Sequence, residues 1–280
     1  MLIFDPFVFC TNNYPGEDLC GALDMAVRCG FRRVEIAAID GMCEQVNADT
    51  LTDADAETVR SELEKRGLTC RAVSGHCDMT DERAFRRLLK KIRFAGAVGA
   101  RCLNTRCGPR ERYDVFLYHV REAAALAASY GMDLNLESYG DIVGPACEAA
   151  EVFASLELPN VRYNYDPGNT YRFRLGQILI EEDLADAAIV PAYLHLKDGA
   201  IRDGILRNTP IGAGAIDWPA VFRVLERRAG TIPCALEVPQ TFAVELPALK
   251  MRFLQPSVAH AEQVVRDSVD YLKRRVELRY

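Results

Sequence analysis

The chain has 280 residues, of which 49% are hydrophobic and 26% charged, and its formal net charge is −6. It contains no apolar run of about 18 residues that could span a membrane, and its start lacks the basic region and cleavage site of a secretory signal. An acidic chain also lacks the clustered basic face that duplex nucleic acid requires. We therefore expect a cytoplasmic protein with no nucleic-acid or membrane partner.

Strand-like apolar runs and helical patterns alternate along the whole chain. The predicted strands cover residues 2–10, 31–37, 68–75, 101–105, 132–137, 160–166, 192–196 and 232–238. The predicted helices cover residues 17–28, 53–66, 81–98, 113–130, 144–156, 175–187 and 256–276, and another begins at Asp217. Strict alternation of this kind predicts a closed parallel (β/α)8 barrel, or TIM barrel, for which about 250 residues is typical.

No low-complexity linker divides the chain, so we predict a single barrel domain over residues 1–280. The segment at about 239–255 is apolar for a surface loop. It is predicted to be a flap packed on the barrel, a subunit contact or an active-site lid. The ten cysteines include no Cys-x-x-Cys pair, and we expect them to be mainly small core residues.

Four consecutive strands in the second half each end in a polar side chain, namely Glu137, Asp166, His195 and Glu237. Taken singly, such a residue is more often a hydrogen-bonded core residue, a helix cap or an ion-pair partner. Parallel strands, however, bring their carboxyl ends to one edge of the barrel, where active sites lie. The four side chains together predict a site for one divalent cation, with Mn²⁺, Mg²⁺, Co²⁺ and Zn²⁺ all compatible.

Several stretches around these positions resemble the sugar phosphate isomerase/epimerase family of xylose isomerase-like TIM barrels. The similar stretches are Leu136-Glu-Ser138, Tyr165-Asp-Pro-Gly-Asn169, His195-Leu-Lys-Asp198, Pro210-Ile-Gly-Ala-Gly-Ala-Ile-Asp-Trp218 and Leu236-Glu237. The third and fourth of these form a fairly specific pair, whereas the first half of the chain agrees in architecture alone.

The resemblance implies a metal-dependent isomerase or epimerase of carbohydrate metabolism that acts on a sugar, sugar phosphate or related polyol ketone. The four strand-terminal residues would bind the metal, and the substrate would bind that metal through a carbonyl and a neighbouring hydroxyl. Glu137 and Glu237 would be the catalytic pair, one taking the proton beside the carbonyl and the other returning one. We expect four further residues to contact the substrate's hydroxyl or phosphate groups: His76, Asn169, Lys197 and Arg202.

Other functions stay open. Free-ketose 3-epimerases of this group carry a histidine three residues after the metal-binding aspartate, but here that position is Asn169, which cannot exchange a proton near neutral pH. Related barrels use the same metal cradle as lyases, either to dehydrate inososes or as partner subunits that cleave C-glycosides. A barrel that binds a sugar without catalysis is a further alternative. The long apolar loop would also suit a homo-oligomer.

Overall fold

Eight parallel strands close into a barrel within residues 1–140 and 142–280, which the computed structural model describes. In chain order the strands are β1 (Ile3–Cys10), β2 (Arg33–Ala37), β3 (Thr69–Ser74), β4 (Cys102–Thr105), β5 (Asp133–Glu137), β6 (Val161–Tyr165), β7 (Tyr193–Leu196), β8 (Asp198–Arg202), β9 (Ile205–Thr209), β10 (Thr231–Leu236), β11 (Phe242–Glu245), β12 (Lys250–Phe253) and β13 (Glu277–Leu278). Strands β1 to β7 and β10 form the barrel, which closes because β1 pairs with both β2 and β10. The predicted TIM barrel is therefore confirmed.

Helices surround this barrel and pack on it through apolar faces. They are α1 (Leu19–Arg28), α2 (Asp53–Lys65), α3 (Glu82–Ala97), α4 (Tyr113–Ser129), α5 (Ala146–Leu156), α6 (Pro167–Phe173), α7 (Ile180–Asp186), α8 (Trp218–Arg228) and α9 (Val258–Lys273). In α3, for example, Phe85, Leu88 and Ile92 are buried at spacings of three and four residues, which places them on one side of the helix. No helix of the described chain is both long and apolar enough to cross a membrane.

Two separate layers of side chains follow from the alternation of each barrel strand. In β1, Phe7 and Phe9 belong to the large cluster that includes the helices, whereas Val8 and Cys10 belong to a small cluster with Ala235. Successive strand residues point to opposite faces, so the small cluster fills the inside of the barrel. It closes the barrel interior beneath the carboxyl ends of the strands.

The predicted helix over residues 175–187 is wrong in extent. Only α7 lies within the predicted span. A separate short helix, α6, begins directly after Asp166 and ends just before Leu175 and Gly176, which adopt positive φ angles of 52° and 77°. Proline suits the first turn of a helix, and Pro167 occupies that position. The early start of α6 brings Asn169 and Arg172 beside the carboxyl ends of the barrel strands.

A second, antiparallel sheet was not predicted. It has the order β12-β11-β9-β8 and uses residues 198–209 together with most of the supposed loop at 239–255. Part of the apolar character of that segment reflects packing within this sheet, where Leu206, Phe242 and Val244 form a buried cluster, whereas Phe253 is 65% exposed. The segment is therefore a β-hairpin rather than a loop.

Asp198 connects the two similar motifs recognised in the sequence. Its Oδ2 atom accepts hydrogen bonds from the backbone N–H of Gly212 at 2.9 Å and of Gly214 at 3.2 Å, and from Nε1–H of Trp218 at 2.9 Å. A Cβ atom on Gly214 would lie 2.0 Å from the Asp198 carboxylate, so only glycine fits there. The Gly-x-Gly-x-x-Asp-Trp stretch thus wraps the buried aspartate of His-Leu-Lys-Asp.

We expect Asp198→Asn to lower the free energy of unfolding by about 2–4 kcal/mol, because a neutral amide loses the charge-assisted bonds and turns an N–H group toward other donors. Urea unfolding followed by circular dichroism measures this change. Asp186→Asn, at an exposed position at the end of α7, is the matched control and should change stability by less than about 0.5 kcal/mol. Equal effects of the two substitutions would contradict the anchoring role of Asp198.

Candidate metal and active site

A cavity of about 290 Å³ opens where the barrel strands end. Its apolar side comes from the second sheet and a nearby loop, through Phe242, Met251 and Met42. Its polar side includes most of the residues that the sequence nominated: His76, Glu137, Asn169, Lys197 and Glu237. A closed apolar wall opposite a polar floor is typical of a small-molecule site.

The four residues predicted as metal ligands lie together, and two of them, Glu137 and Glu237, line the cavity. One ligand atom from each of Glu137, Asp166, His195 and Glu237 lies within 4.8 Å of all the others, and all four side chains are buried. Nδ1 of His195 lies 2.5 Å from Oε1 of Glu137 and 2.9 Å from Oε2 of Glu237. Strands β5, β7 and β10 and the start of α6 therefore deliver three carboxylates and an imidazole to one point.

The position of Asp166 depends on the start of α6. Its Oδ1 atom accepts a hydrogen bond from the backbone N–H of Asn169 at 2.9 Å, as the N-cap of that helix. Its own backbone N–H donates to Oγ of Ser138 at 2.8 Å. Both bonds leave Oδ2 directed toward the other carboxylates, where it meets the Lys197 ammonium at 2.6 Å. Capping and metal binding can therefore use different oxygens of one carboxylate.

Lys197 is buried inside the cluster rather than paired with Asp198 at the surface. Its Nζ atom also lies 2.9 Å from Oε2 of Glu237. Burial disfavours the ammonium, but the charges of Asp166 and Glu237 outweigh it and raise the pKa of Lys197 above its usual range. The alternation of β7 does not govern its direction, because the strand ends at Leu196.

Glu35 contacts the cluster at His195, and the sequence analysis did not foresee it. It is fully buried within β2, and its carboxylate accepts hydrogen bonds from Nδ2 of Asn104 at 2.8 Å and from the hydroxyl of Tyr193 at 3.0 Å. It also lies 3.0 Å from Nε2 of His195. A carboxylate that accepts the Nε2 proton leaves Nδ1 free to bind a metal. The only signal in the sequence was a glutamate inside an otherwise buried strand.

The electrostatics of the cluster fit a cation. Burial, together with Glu137 and Glu237, raises the pKa of Asp166 to about 6 even though the Lys197 ammonium lowers it. Burial lowers the pKa of His195, but the surrounding glutamates outweigh it and raise that pKa well above its usual range. In addition, Oε2 of Glu237 is buried and lies 2.9 Å from both Nδ1 of His195 and Nζ of Lys197. This excess of buried negative charge suits a divalent ion with oxygen and nitrogen ligands.

In each of the two predicted catalytic glutamates, one carboxylate oxygen accepts a hydrogen bond from an asparagine side-chain amide. Oε2 of Glu137 accepts from Nδ2 of Asn169 at 3.1 Å, and Oε1 of Glu237 accepts from Nδ2 of Asn12 at 2.6 Å. Asn12, which follows β1, was not foreseen because asparagine is common in turns. His76 lies 3.7 Å from Glu137, and burial lowers its pKa, which favours the neutral imidazole.

Arg202 is not brought to the cavity with the other nominated residues. It lies at the end of β8, is exposed, and is not part of the cavity lining formed by the described residues. The β8–β9 hairpin carries it away, although it is only five residues from Lys197 in the sequence. Two other arginines, Arg106 and Arg172, line the cavity instead.

The fold and the site define a class of protein: a parallel α/β barrel with a candidate metal-binding cluster at the carboxyl ends of its strands. The profile of the xylose isomerase-like TIM barrels matches residues 23–275. The chain therefore belongs to the xylose isomerase-like TIM barrel family.

Solved structures share the whole fold at low sequence identity. D-allulose 3-epimerase from Methylomonas sp. is 17% identical, with a TM-score of 0.70 over 96% of this chain and 97% of that one. The probable 3-DHS dehydratase AsbF from Bacillus anthracis is 13% identical, with a TM-score of 0.68 over 96% and 98% of the two chains. A xylose isomerase-like TIM barrel protein from Mycobacterium smegmatis, in complex with magnesium, is 17% identical, with a TM-score of 0.68 over 94% and 97%. No curated protein matches the chain.

We expect Glu35→Gln to weaken Mn²⁺ or Co²⁺ binding by about 10- to 100-fold, because an amide no longer holds the His195 ring with Nδ1 toward the cluster. Isothermal titration calorimetry measures the dissociation constant directly. Glu64→Gln, on the exposed side of α2, is the control and should bind the metal as the wild type does. Unchanged affinity in Glu35→Gln would show that the ring does not depend on this carboxylate.

Proposed function

We propose that the protein is a divalent-metal-dependent isomerase or epimerase that acts on a sugar, sugar phosphate or related polyol ketone by proton transfer beside the carbonyl. The observation that carries the proposal is the convergence of Glu137, Asp166, His195 and Glu237 to within 4.8 Å, with Glu137 and Glu237 lining a cavity. We assign these four residues as the metal ligands, with Mn²⁺, Mg²⁺, Co²⁺ and Zn²⁺ as candidate ions.

The bound ion would stabilise the negative charge that develops on the substrate oxygens when the carbon beside the carbonyl loses its proton. Glu137 and Glu237 are the residues that would remove and return that proton. Burial opposes their ionisation, but His76 and His195 lower the pKa of Glu137, and Lys197 and His195 lower the pKa of Glu237 well below its usual range. Both are therefore carboxylates at neutral pH, and their low pKa makes them weak bases, which the acidity of the carbon beside a metal-bound carbonyl would have to offset.

The surroundings of the two glutamates support a paired role. Because each uses one oxygen to accept an amide N–H, from Asn169 or from Asn12, the direction of its second oxygen is restricted. Their short separation also argues against a barrel that only binds a sugar, which would not require both glutamates to reach one substrate. Proton transfer needs such preorganised geometry.

The size of the cavity limits the substrate. A volume of about 290 Å³ lies at the lower end of the range for small-molecule sites, which suits a compound of monosaccharide size. Similarity to D-allulose 3-epimerase supports the same class of compound. His76, Asn169 and Lys197 are the residues that we assign to its hydroxyl groups.

A metal-dependent lyase is the second candidate, and the position of Lys197 favours it. A dehydratase must also protonate a departing hydroxide, and the Lys197 ammonium lines the cavity beside Asp166 and Glu237. Similarity to the probable dehydratase AsbF agrees with this alternative. Both candidates begin with the loss of the same acidic proton.

The first test is deuterium incorporation into ketoses, ketose phosphates and inososes incubated with metal-loaded protein in D₂O. We expect exchange at the carbon beside the carbonyl, detected by NMR. Glu237→Gln or Glu137→Gln should slow it at least about 100-fold, because each removes a proton carrier. Glu64→Gln should exchange at the wild-type rate. A metal-bound protein that exchanges none of these compounds would refute the isomerase or epimerase proposal.

Lys197→Gln separates the two candidates once a compound that exchanges is known. If the protein is an isomerase or epimerase, product formation and exchange should change together, since no group leaves the substrate. Loss of the elimination product by about 100-fold, with exchange retained, would identify Lys197 as the proton donor of a lyase. Product ratios by NMR and the ultraviolet absorbance of an unsaturated ketone distinguish these outcomes.

A further inference from the structure

Arg172 is a buried cation without a hydrogen-bond partner at one of its nitrogens. Its side chain is 5% exposed, it lines the cavity, and its Nη2 atom makes no hydrogen bond within residues 1–140 and 142–280. An unpaired buried guanidinium is costly, because it gives up water without gaining a replacement. That cost falls if a negatively charged ligand in the cavity lies beside the guanidinium.

Arg106 lines the same cavity, and both Arg106 and Arg172 contact the ring of Tyr139. The guanidinium carbons of Arg106 and Arg172 lie 5.2 and 5.0 Å from the centre of the Tyr139 ring, and that of Arg172 lies 4.6 Å from the Phe173 ring. Contact with an aromatic face orients a guanidinium while leaving its N–H groups available at the edge. Aromatic contacts thus position both arginines, and neither guanidinium donates a hydrogen bond to any of the residues that the structure describes.

A third arginine, Arg87, binds carboxylates of the protein itself. Arg87 forms ion pairs with Asp40, Glu44 and Asp49. By contrast, neither Arg106 nor Arg172 forms an ion pair with any carboxylate of the described residues. The carboxylates beside the cavity are therefore committed to the metal cluster or to Arg87 and Lys91, the latter also paired with Asp40.

We propose that Arg106 and Arg172 form a subsite for an anionic group, a carboxylate or a phosphate, on the substrate. Arginine N–H groups match the oxygens of either group and can bind two of them at once. This inference rests on the proposed function for the part of the substrate outside the anionic group. It narrows the substrate to a polyol ketone that carries a negative charge, rather than a neutral ketose. Its carbonyl would face the carboxylate cluster and its anionic group the arginines, because the carboxylates would repel that group.

The subsite can be tested without catalysis, by calorimetric titration of the metal-loaded, full-length protein with inorganic phosphate and with acetate. We expect at least one anion to bind, and both Arg172→Gln and Arg106→Gln to weaken that binding about tenfold or more, as loss of a charged hydrogen-bond donor should. Arg93→Gln, an exposed residue of α3, is the matched control with unchanged binding. Arg172→Lys keeps the charge but lacks the planar donor pair, so it should restore only part of the affinity.

The outcomes distinguish a phosphate ester from a carboxylic acid as the bound group. They also distinguish failure of the anion subsite from failure of the isomerase or epimerase proposal. Preference for phosphate indicates a phosphate ester, and preference for acetate indicates a carboxylic acid. Anion binding that is equally strong in the Gln variants would be binding to the metal or the surface, and it would overturn the subsite, as would no binding of either anion. Arg106→Gln alters a half-buried residue, so it remains informative if Arg172→Gln does not fold. Arginine-dependent anion binding without deuterium exchange would refute the isomerase or epimerase proposal and leave the subsite standing.

Discussion

Electrostatic repulsion among buried carboxylates is the constraint on which the rest of this structure depends. Glu35, Glu137, Asp166 and Glu237 are all removed from water at one end of the barrel. Such a group is stable only if positive charge and hydrogen-bond donors are supplied in return. His195 and Lys197 supply part of that charge, and asparagine amides satisfy individual oxygens. A divalent ion would complete the balance, which is why we interpret the cluster as a metal site.

The tetrapeptide His195-Leu-Lys-Asp198 distributes its side chains among four parts of the molecule. His195 points into the barrel and contacts Glu35, Lys197 enters the cavity, and Asp198 binds the glycine-rich loop. Leu196 packs outward into the main core. One short stretch of chain therefore holds the carboxylate cluster, the cavity and the neighbouring loop in a common frame. This explains physically why the two motifs occur together.

The parts of the site that could be predicted are those that follow from strand order. Periodicity and the positions of strand ends were enough to bring Glu137, Asp166, His195 and Glu237 together, because a closed parallel barrel leaves little freedom at its carboxyl edge. Glu35 could not be found in this way, since it lies within a strand and acts through the far side of the His195 ring. For a related reason Arg172 was not foreseen, and Arg202 lies away from the cavity. Their positions depend on where α6 begins and on an antiparallel hairpin, neither of which has a strong periodic signal. The single-domain organisation, the cytoplasmic location and homo-oligomerisation stay predictions.

The two sheets contribute different parts of the site. Every candidate metal ligand belongs to the barrel or follows directly from one of its strands, whereas the small sheet of β8, β9, β11 and β12 supplies apolar walls such as Phe242 and Met251. A barrel strand cannot change length without disturbing the pairing on both of its sides, but a hairpin edge such as β12 tolerates substitutions and insertions. Changes in the small sheet would therefore alter the shape and polarity of the cavity, while the candidate ligand atoms beneath it keep their positions.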